Sequence, residues 1–184
     1  MINKYNIPIE FLSARTTKKF SGLLITVDCQ YGAGNVTHFD ADEVAIIDHH
    51  RIEIDNVEKN LILSYLGSCS TIVWKLLKEV GYKITDDNGL GTCLYYGLYT
   101  DTNQLAEIVS PVDKDCAEDL PVEKSVISFL RNCNISVEEL DIASVAMLSY
   151  DFNDEYGFAI VKSQPCDPNI LGLIADFMLQ VDKF

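Results

Sequence analysis

The sequence predicts an α/β fold: a parallel-sheet core with flanking helices, followed by linker helices and part of a second α/β lobe. Two observations carry the core. The short apolar runs Leu23-Leu24-Ile25-Thr26-Val27 and Val44-Ala45-Ile46-Ile47 each end directly in an acid, Asp28 and Asp48, as buried strands do where they open into a crevice at their carboxyl ends. After them the apolar spacing turns helical, with Ile72, Val73, Leu76, Leu77 and Val80 falling on one face. Strands followed by helical stretches of this kind build parallel sheets with helices packed on their faces.

Taken in order, the chain opens irregularly and mildly basic, with Arg15, Lys18 and Lys19, before the strand at 23–27. Tyr31-Gly32-Ala33-Gly34-Asn35 reads as a tight turn; a phosphate cradle would call for a helix signal directly after it. The second strand at 44–47 leads into a polar stretch and a short third strand at 61–65. Ser68 or Ser70 caps the helix that Gly81 stops. Thr85-Asp86-Asp87 is expected to start the next helix, its acids at the positive end of the dipole, carrying Leu90, Leu94 and Leu98 towards Asp101. Residues 112–120 read as a helix with Lys114 and Asp115 on a solvated face.

Beyond Pro121 two linker helices are expected at 122–132 and 136–148, the second with Ser136 and Glu139 in capping-box spacing. A strand at 157–162 and a helix at 168–180, burying Ile170, Leu171, Ile174, Phe177 and Met178, complete the chain. The expected organisation is a core over 1–120, linker helices over 121–150 and the start of a second lobe over 151–184.

With 184 residues, 48% hydrophobic and 10% aromatic, the chain has ample material for a packed core. Its 28 acidic residues against 14 basic ones give a net charge of −14 without a basic stripe, which argues against binding along a long duplex nucleic acid. The thiols Cys29, Cys69, Cys93, Cys116, Cys133 and Cys166 form no Cys-x-x-Cys pair and are expected to be reduced and structural. The N-terminus lacks the apolar core of a signal peptide and no apolar run is long enough to span a bilayer. A cytoplasmic protein without membrane contacts is expected.

Asp48-His49-His50, holding two of the three histidines, is the strongest chemical feature. A neutral imidazole beside a carboxylate suits Mn²⁺, Fe²⁺ or Zn²⁺, whereas a solvent-facing polar turn is the plain alternative. Asp28 and Asp101, each at the end of an expected element, supply two more donors of the same kind.

Val27-Asp28-Cys29, Ile47-Asp48-His49-His50 and Thr100-Asp101-Thr102 follow one another in the order and spacing of the second, third and fourth motifs of the DHH-family phosphoesterases. Ser68-Cys69-Ser70-Thr71-Ile72 resembles the helix start after the DHH strand in the branch that hydrolyses short oligoribonucleotides and adenosine bisphosphate. The resemblance covers residues 23–120, and more weakly the remainder. It implies that Asp28, His49 and Asp101 ligate Mn²⁺, with Mg²⁺ as an alternative. It also implies that His50 faces the substrate phosphate and that Asp48 orients the neighbouring imidazoles.

Two departures qualify what the resemblance implies. Relatives open with a strand ending in a His and an Asp-x-Asp pair, and residues 1–22 contain neither. His38-Phe39-Asp40-Ala41-Asp42 imitates that composition but lies in the loop feeding the DHH strand, where a polar turn is the simpler reading. The glycine-rich, His-terminated segment that relatives use to hold substrate is likewise not found. A chain shortened at both ends is the simplest account. The expectation is a metal-dependent phosphoesterase-family protein, acting on small phosphorylated nucleotides or short oligoribonucleotides, with weak single-metal binding and low activity. The alternative is a non-catalytic nucleotide-binding or interaction module of the same fold, prone to self-association.

Overall fold

Three parallel strands, β1 (Phe20–Val27), β2 (Ala41–Asp48) and β3 (Lys59–Ile62), form a sheet in the order β1-β2-β3. The computed structural model describes residues 1–12, 19–34, 36, 38–54, 57–85, 87–132 and 135–181. Arg15, Lys18, Asn35, Asp86 and Cys133 therefore lie outside the described residues. In the sheet Val27 stands opposite Ile47 and Asp48 opposite Ile62. The Asp28 N–H extends the ladder by donating to the Ile47 carbonyl at 2.9 Å. Both acid-terminated strands thus run out at one rim, as the apolar runs ending in acids predict.

The two faces of the sheet are unequal. On one, Ile46 and Asp48 of the central strand are each 1% exposed. On the other, Leu23, Ile25 and Val27 of β1 remain 51%, 49% and 49% exposed. Among the described residues β1 pairs with β2 alone.

Helices α2 (Cys69–Glu79), α3 (Leu90–Asp101) and α4 (Pro111–Asp119) pack around Trp74, Leu94, Leu98, Cys116 and Leu120. Ser68 caps α2 by accepting the Ser70 N–H, and Gly81 ends it in the left-handed region at φ 72°. α3 starts at Leu90 and not at Thr85. Gly89 adopts φ 70° just before it, and the Asn88 side chain accepts the Leu90 N–H, while the Thr85 hydroxyl is engaged by Asp87. β3 begins two residues before the expected 61–65 and ends at Ile62, because the chain turns after Leu63 bonds the Asp48 carbonyl, with Leu66 N–H closing back on Leu63. A short helix, α1 (Ile2–Tyr5), stands where the sequence predicts an irregular opening, tied to Glu123 through Lys4 and Tyr5.

The chain divides into two compact units, Met1–Ser128 and Phe129–Phe184. Helix α5 (Lys124–Asn132) matches the first linker helix. In the second unit α6 (Val137–Leu148) carries the full Ser136/Glu139 capping box. An antiparallel hairpin of β4 (Asp151–Asn153) and β5 (Phe158–Ile160) precedes α7 (Pro168–Met178). β4 is only three residues long, too short for its alternation to announce it. Ala143, Ala146, Ile170 and Ile174 form this unit's core, whereas Leu171 and Phe177, expected on the buried side, are about half exposed. No described helix is long and apolar enough to cross a membrane.

Candidate metal centre

At the carboxyl rim of the sheet, His49 Nε2 lies 3.4 Å from Asp28 Oδ1 and 3.9 Å from Asp101 Oδ2. Three residues far apart in sequence, from the ends of β1, β2 and α3, meet on one imidazole. Among the described residues, Asp28, His49 and His50 offer ligand atoms that lie mutually within 4.8 Å. His50 is thus drawn into the cluster, and Asp101 stands slightly off it.

The orientation of each ring follows from what holds its other nitrogen. His49 Nδ1 faces the Leu66 carbonyl at 3.3 Å, so a proton assigned there by the hydrogen-bond pattern leaves Nε2 free to ligate. His50 Nδ1 donates to Asp48 Oδ1 at 2.8 Å, which raises the imidazole pKa above its ordinary value.

The two strand-end acids have opposite electrostatics. Burial raises the Asp28 pKa, and the Asp101 charge raises it further. Burial would raise Asp48 as well, yet hydrogen bonds from His50, Gln30 and the backbone outweigh it, and its pKa falls below the ordinary value. Asp48 accepts from Gln30 Nε2 at 2.8 Å and from the His49 N–H at 2.8 Å in addition to His50. Asp28 also sits in the left-handed region at φ 62°, a conformation that Asp tolerates better than most residues but that still carries strain.

Gln30 was not foreseen from the sequence. It is 4% exposed, and its amide donates to Asp48 and to the Arg51 carbonyl while its oxygen accepts the Glu53 and Ile54 N–H groups. It therefore splints the loop after the histidines to Asp48. The only sequence signal was a polar residue beside a turn. Ser68 caps α2 as its position predicts, and its hydroxyl also donates to Asp101 Oδ2 at 2.7 Å.

His38, in the segment that imitates the missing first motif, contacts the Tyr31 hydroxyl at 3.0 Å. That places it in a local polar turn. Cys29 lines a small cleft of about 110 Å³ with Asp28, Gln30, Asp48, His50 and Glu53. Burial pushes its thiol pKa up, as it pushes Cys69 to about 11 and Cys116 to about 12. These thiols are poor nucleophiles near neutral pH, and the five described cysteines are free.

A larger groove of about 560 Å³ in the second unit is lined by Phe158, Val161, Leu171, Ile174 and Met178 among others. None of its lining residues is a titratable donor.

The donor set suits a divalent cation. One imidazole nitrogen faces two carboxylates that repel each other, and no described lysine or arginine forms an ion pair with either. A cation would relieve that repulsion.

The fold and the rim define an α/β protein with a carboxylate and imidazole cluster at the carboxyl end of its parallel strands. The fold is similar to the crystal structure of an exopolyphosphatase-related protein from Bacteroides fragilis, with a TM-score of 0.57 and 17% identity over 77% of this chain and 45% of that one. At that identity the likeness is one of fold. In sequence, the chain is 27% identical over 107 residues to uncharacterized protein MJ1633 of Methanocaldococcus jannaschii, covering 56% of this chain and 22% of that protein. The chain spans less than half the length of either. No family model matches the chain.

Proposed function

We propose that this chain is a metal-dependent phosphoesterase-type protein of the DHH family, acting on small phosphorylated nucleotides or short oligoribonucleotides with Mn²⁺, or alternatively Mg²⁺. The observation that carries the reading is the meeting of Asp28 and Asp101 on His49 Nε2. The phosphatase-related name of the structural neighbour agrees with it. Asp28, His49 and Asp101 would hold the cation, which supplies Lewis-acid stabilisation of phosphoryl oxygens and a more acidic bound water.

His50, fixed by Asp48 and 59% exposed at its side chain, would present a proton at Nε2 to a phosphate oxygen. Asp48 favours the charged form of that imidazole and holds it turned. Three protein donors make a modest site, and the proposal includes weak single-cation binding and slow hydrolysis by this chain. Calorimetric titration of Mn²⁺ should show binding by wild type and its loss in His49→Ala; equal affinities would refute the ligand assignment.

A second reading, a binding or interaction module that self-associates, is favoured by the half-exposed Leu23, Ile25 and Val27 on a strand that, among the described residues, pairs on one side alone. Its expected signature is a sedimentation coefficient that rises with protein concentration and returns to the monomer value in Ile25→Lys. A concentration-independent monomer would dispose of it.

A further inference from the structure

We propose that the tripeptide Leu66-Gly67-Ser68, anchored by Asp113, sets the geometry of the cation site, which makes Ser68 and Asp113 positioning residues for Asp101 and His49. The inference rests on the metal reading above. The Leu66 carbonyl accepts the His49 Nδ1 proton at 3.3 Å. Two residues on, the Ser68 hydroxyl donates to Asp101 Oδ2 at 2.7 Å while accepting the Ser70 N–H at 3.1 Å. A hydroxyl has one proton, and here its acceptor side is taken by the helix, so the proton is directed at Asp101. Ligands from the end of β2 and the end of α3 therefore take their orientation from one short stretch of backbone. Outer hydrogen bonds of this kind hold ligating groups to the few tenths of an ångström that a metal site requires.

That stretch is itself pinned. Asp113, in the first turn of α4 and 0% exposed, accepts the Gly67 N–H at 2.8 Å on Oδ2 and the Thr71 hydroxyl at 2.6 Å on Oδ1. No described cation forms an ion pair with it; the positive end of α4 and these two donors hold the charge. Packing closes the arrangement, because a Cβ at Gly67 would stand 2.7 Å from Thr102 Cγ2 and 3.2 Å from Asp113 Oδ2. Thr102 follows Asp101 directly and is tied to the Leu98 carbonyl at 2.6 Å. The bracket thus touches the carboxyl end of α3 by packing as well as through Ser68. A displacement of Gly67 would move both candidate ligands at once. Charge alone does not explain Asp113, since a neutral amide could serve both donors: its oxygen would take the Gly67 N–H, and its nitrogen would donate to a Thr71 hydroxyl turned to accept.

The test compares Asp113→Ala, Asp113→Asn, Ser68→Ala and Ser68→Thr with wild type, all kept well below their melting temperatures. Mn²⁺ affinity is read by calorimetry and the His49 tautomer by ¹⁵N NMR without metal. The expected result is a Mn²⁺ affinity weakened about tenfold or more in Asp113→Ala and Ser68→Ala, and near wild type in Asp113→Asn and Ser68→Thr. His49 should keep its Nδ1 proton in Asp113→Asn and lose that preference in Asp113→Ala. Folded Ala variants with wild-type affinity and tautomer would overturn the proposal, since a purely structural role lowers the melting temperature alone. If Asp113→Ala does not fold, Ser68→Ala decides by the same affinity criterion. Absence of Mn²⁺ binding by wild type would instead refute the metal reading, and the tautomer then decides whether the bracket positions His49.

Discussion

Asp28 and Asp48 end neighbouring parallel strands at the same rim, yet they are opposite kinds of acid. Asp48 is 1% exposed, accepts three hydrogen bonds and is held ionised. The Asp28 side chain is 51% exposed, lies in a left-handed backbone conformation and is disfavoured as a carboxylate by burial and by Asp101. Every lone pair that Asp48 commits to Gln30, His49 and His50 is unavailable to a ligand. The charge of Asp28 meets no described lysine or arginine, and the two imidazoles beside it offset burial and the Asp101 charge only in part. The difference separates an acid spent on holding its neighbours from one left open to a ligand, although both stand at the end of an apolar run.

The comparison makes a quantitative claim about apo stability. Asp48→Ala strands one N–H of the buried Gln30 amide, whose other N–H keeps the Arg51 carbonyl, together with the His49 N–H, and unsatisfied buried donors cost about 1–3 kcal/mol each. A loss of about 3 kcal/mol is therefore expected in urea unfolding of metal-free protein. Asp28→Asn keeps a residue type tolerant of positive φ and relieves repulsion, so it should leave stability unchanged or slightly raised. Comparable losses in the two variants would break the distinction between the strand ends.

Much of this was legible in the sequence, for a physical reason: apolar runs ending in acids are determined by local pattern, and β1 and β2 appear with Asp28 and Asp48 at their ends. The meeting of Asp28, His49 and Asp101 is legible through the motif order, and the geometry brings the two carboxylates to 3.4 Å and 3.9 Å from His49 Nε2. Asp113 was hidden, because a helix with Lys114 and Asp115 facing water looks solvated throughout, and nothing in composition shows that one acid of its first turn turns inward. Gln30 was hidden for a similar reason. Its role depends on the backbone of residues 51–54 folding back, a tertiary event with no periodicity. The start of α3 was misplaced because Asp-rich residues after a threonine resemble a cap, whereas the left-handed Gly89 sets the true beginning.

The smallest expected effect is the most diagnostic, because it concerns sign. A group whose folded pKa is raised stabilises fully below its unfolded value and loses that contribution as pH rises through the folded pKa. For Asp28 the window opens at the ordinary value of 3.8 and extends upward. Asparagine does not titrate, so the stability of Asp28→Asn relative to wild type should grow with pH across that window and level off above it. With the side chain half exposed, solvent screening keeps the plateau below about 1 kcal/mol. Asp48 has the opposite sign: its lowered pKa stabilises above 3.8 and loses that contribution as pH falls through the folded value. The deficit of Asp48→Ala should therefore be complete at neutral pH and shrink only in acid. Urea midpoints measured at several pH values with a chelator present would show the two trends. Saturating Mn²⁺ should then reverse the ranking at Asp28, since a ligand that binds only the folded state stabilises wild type by mass action and has lost a ligand in the Asn variant. A relative stability of Asp28→Asn that fails to rise with pH, or that Mn²⁺ leaves unchanged, would mean that the charge on Asp28 is already answered within the protein.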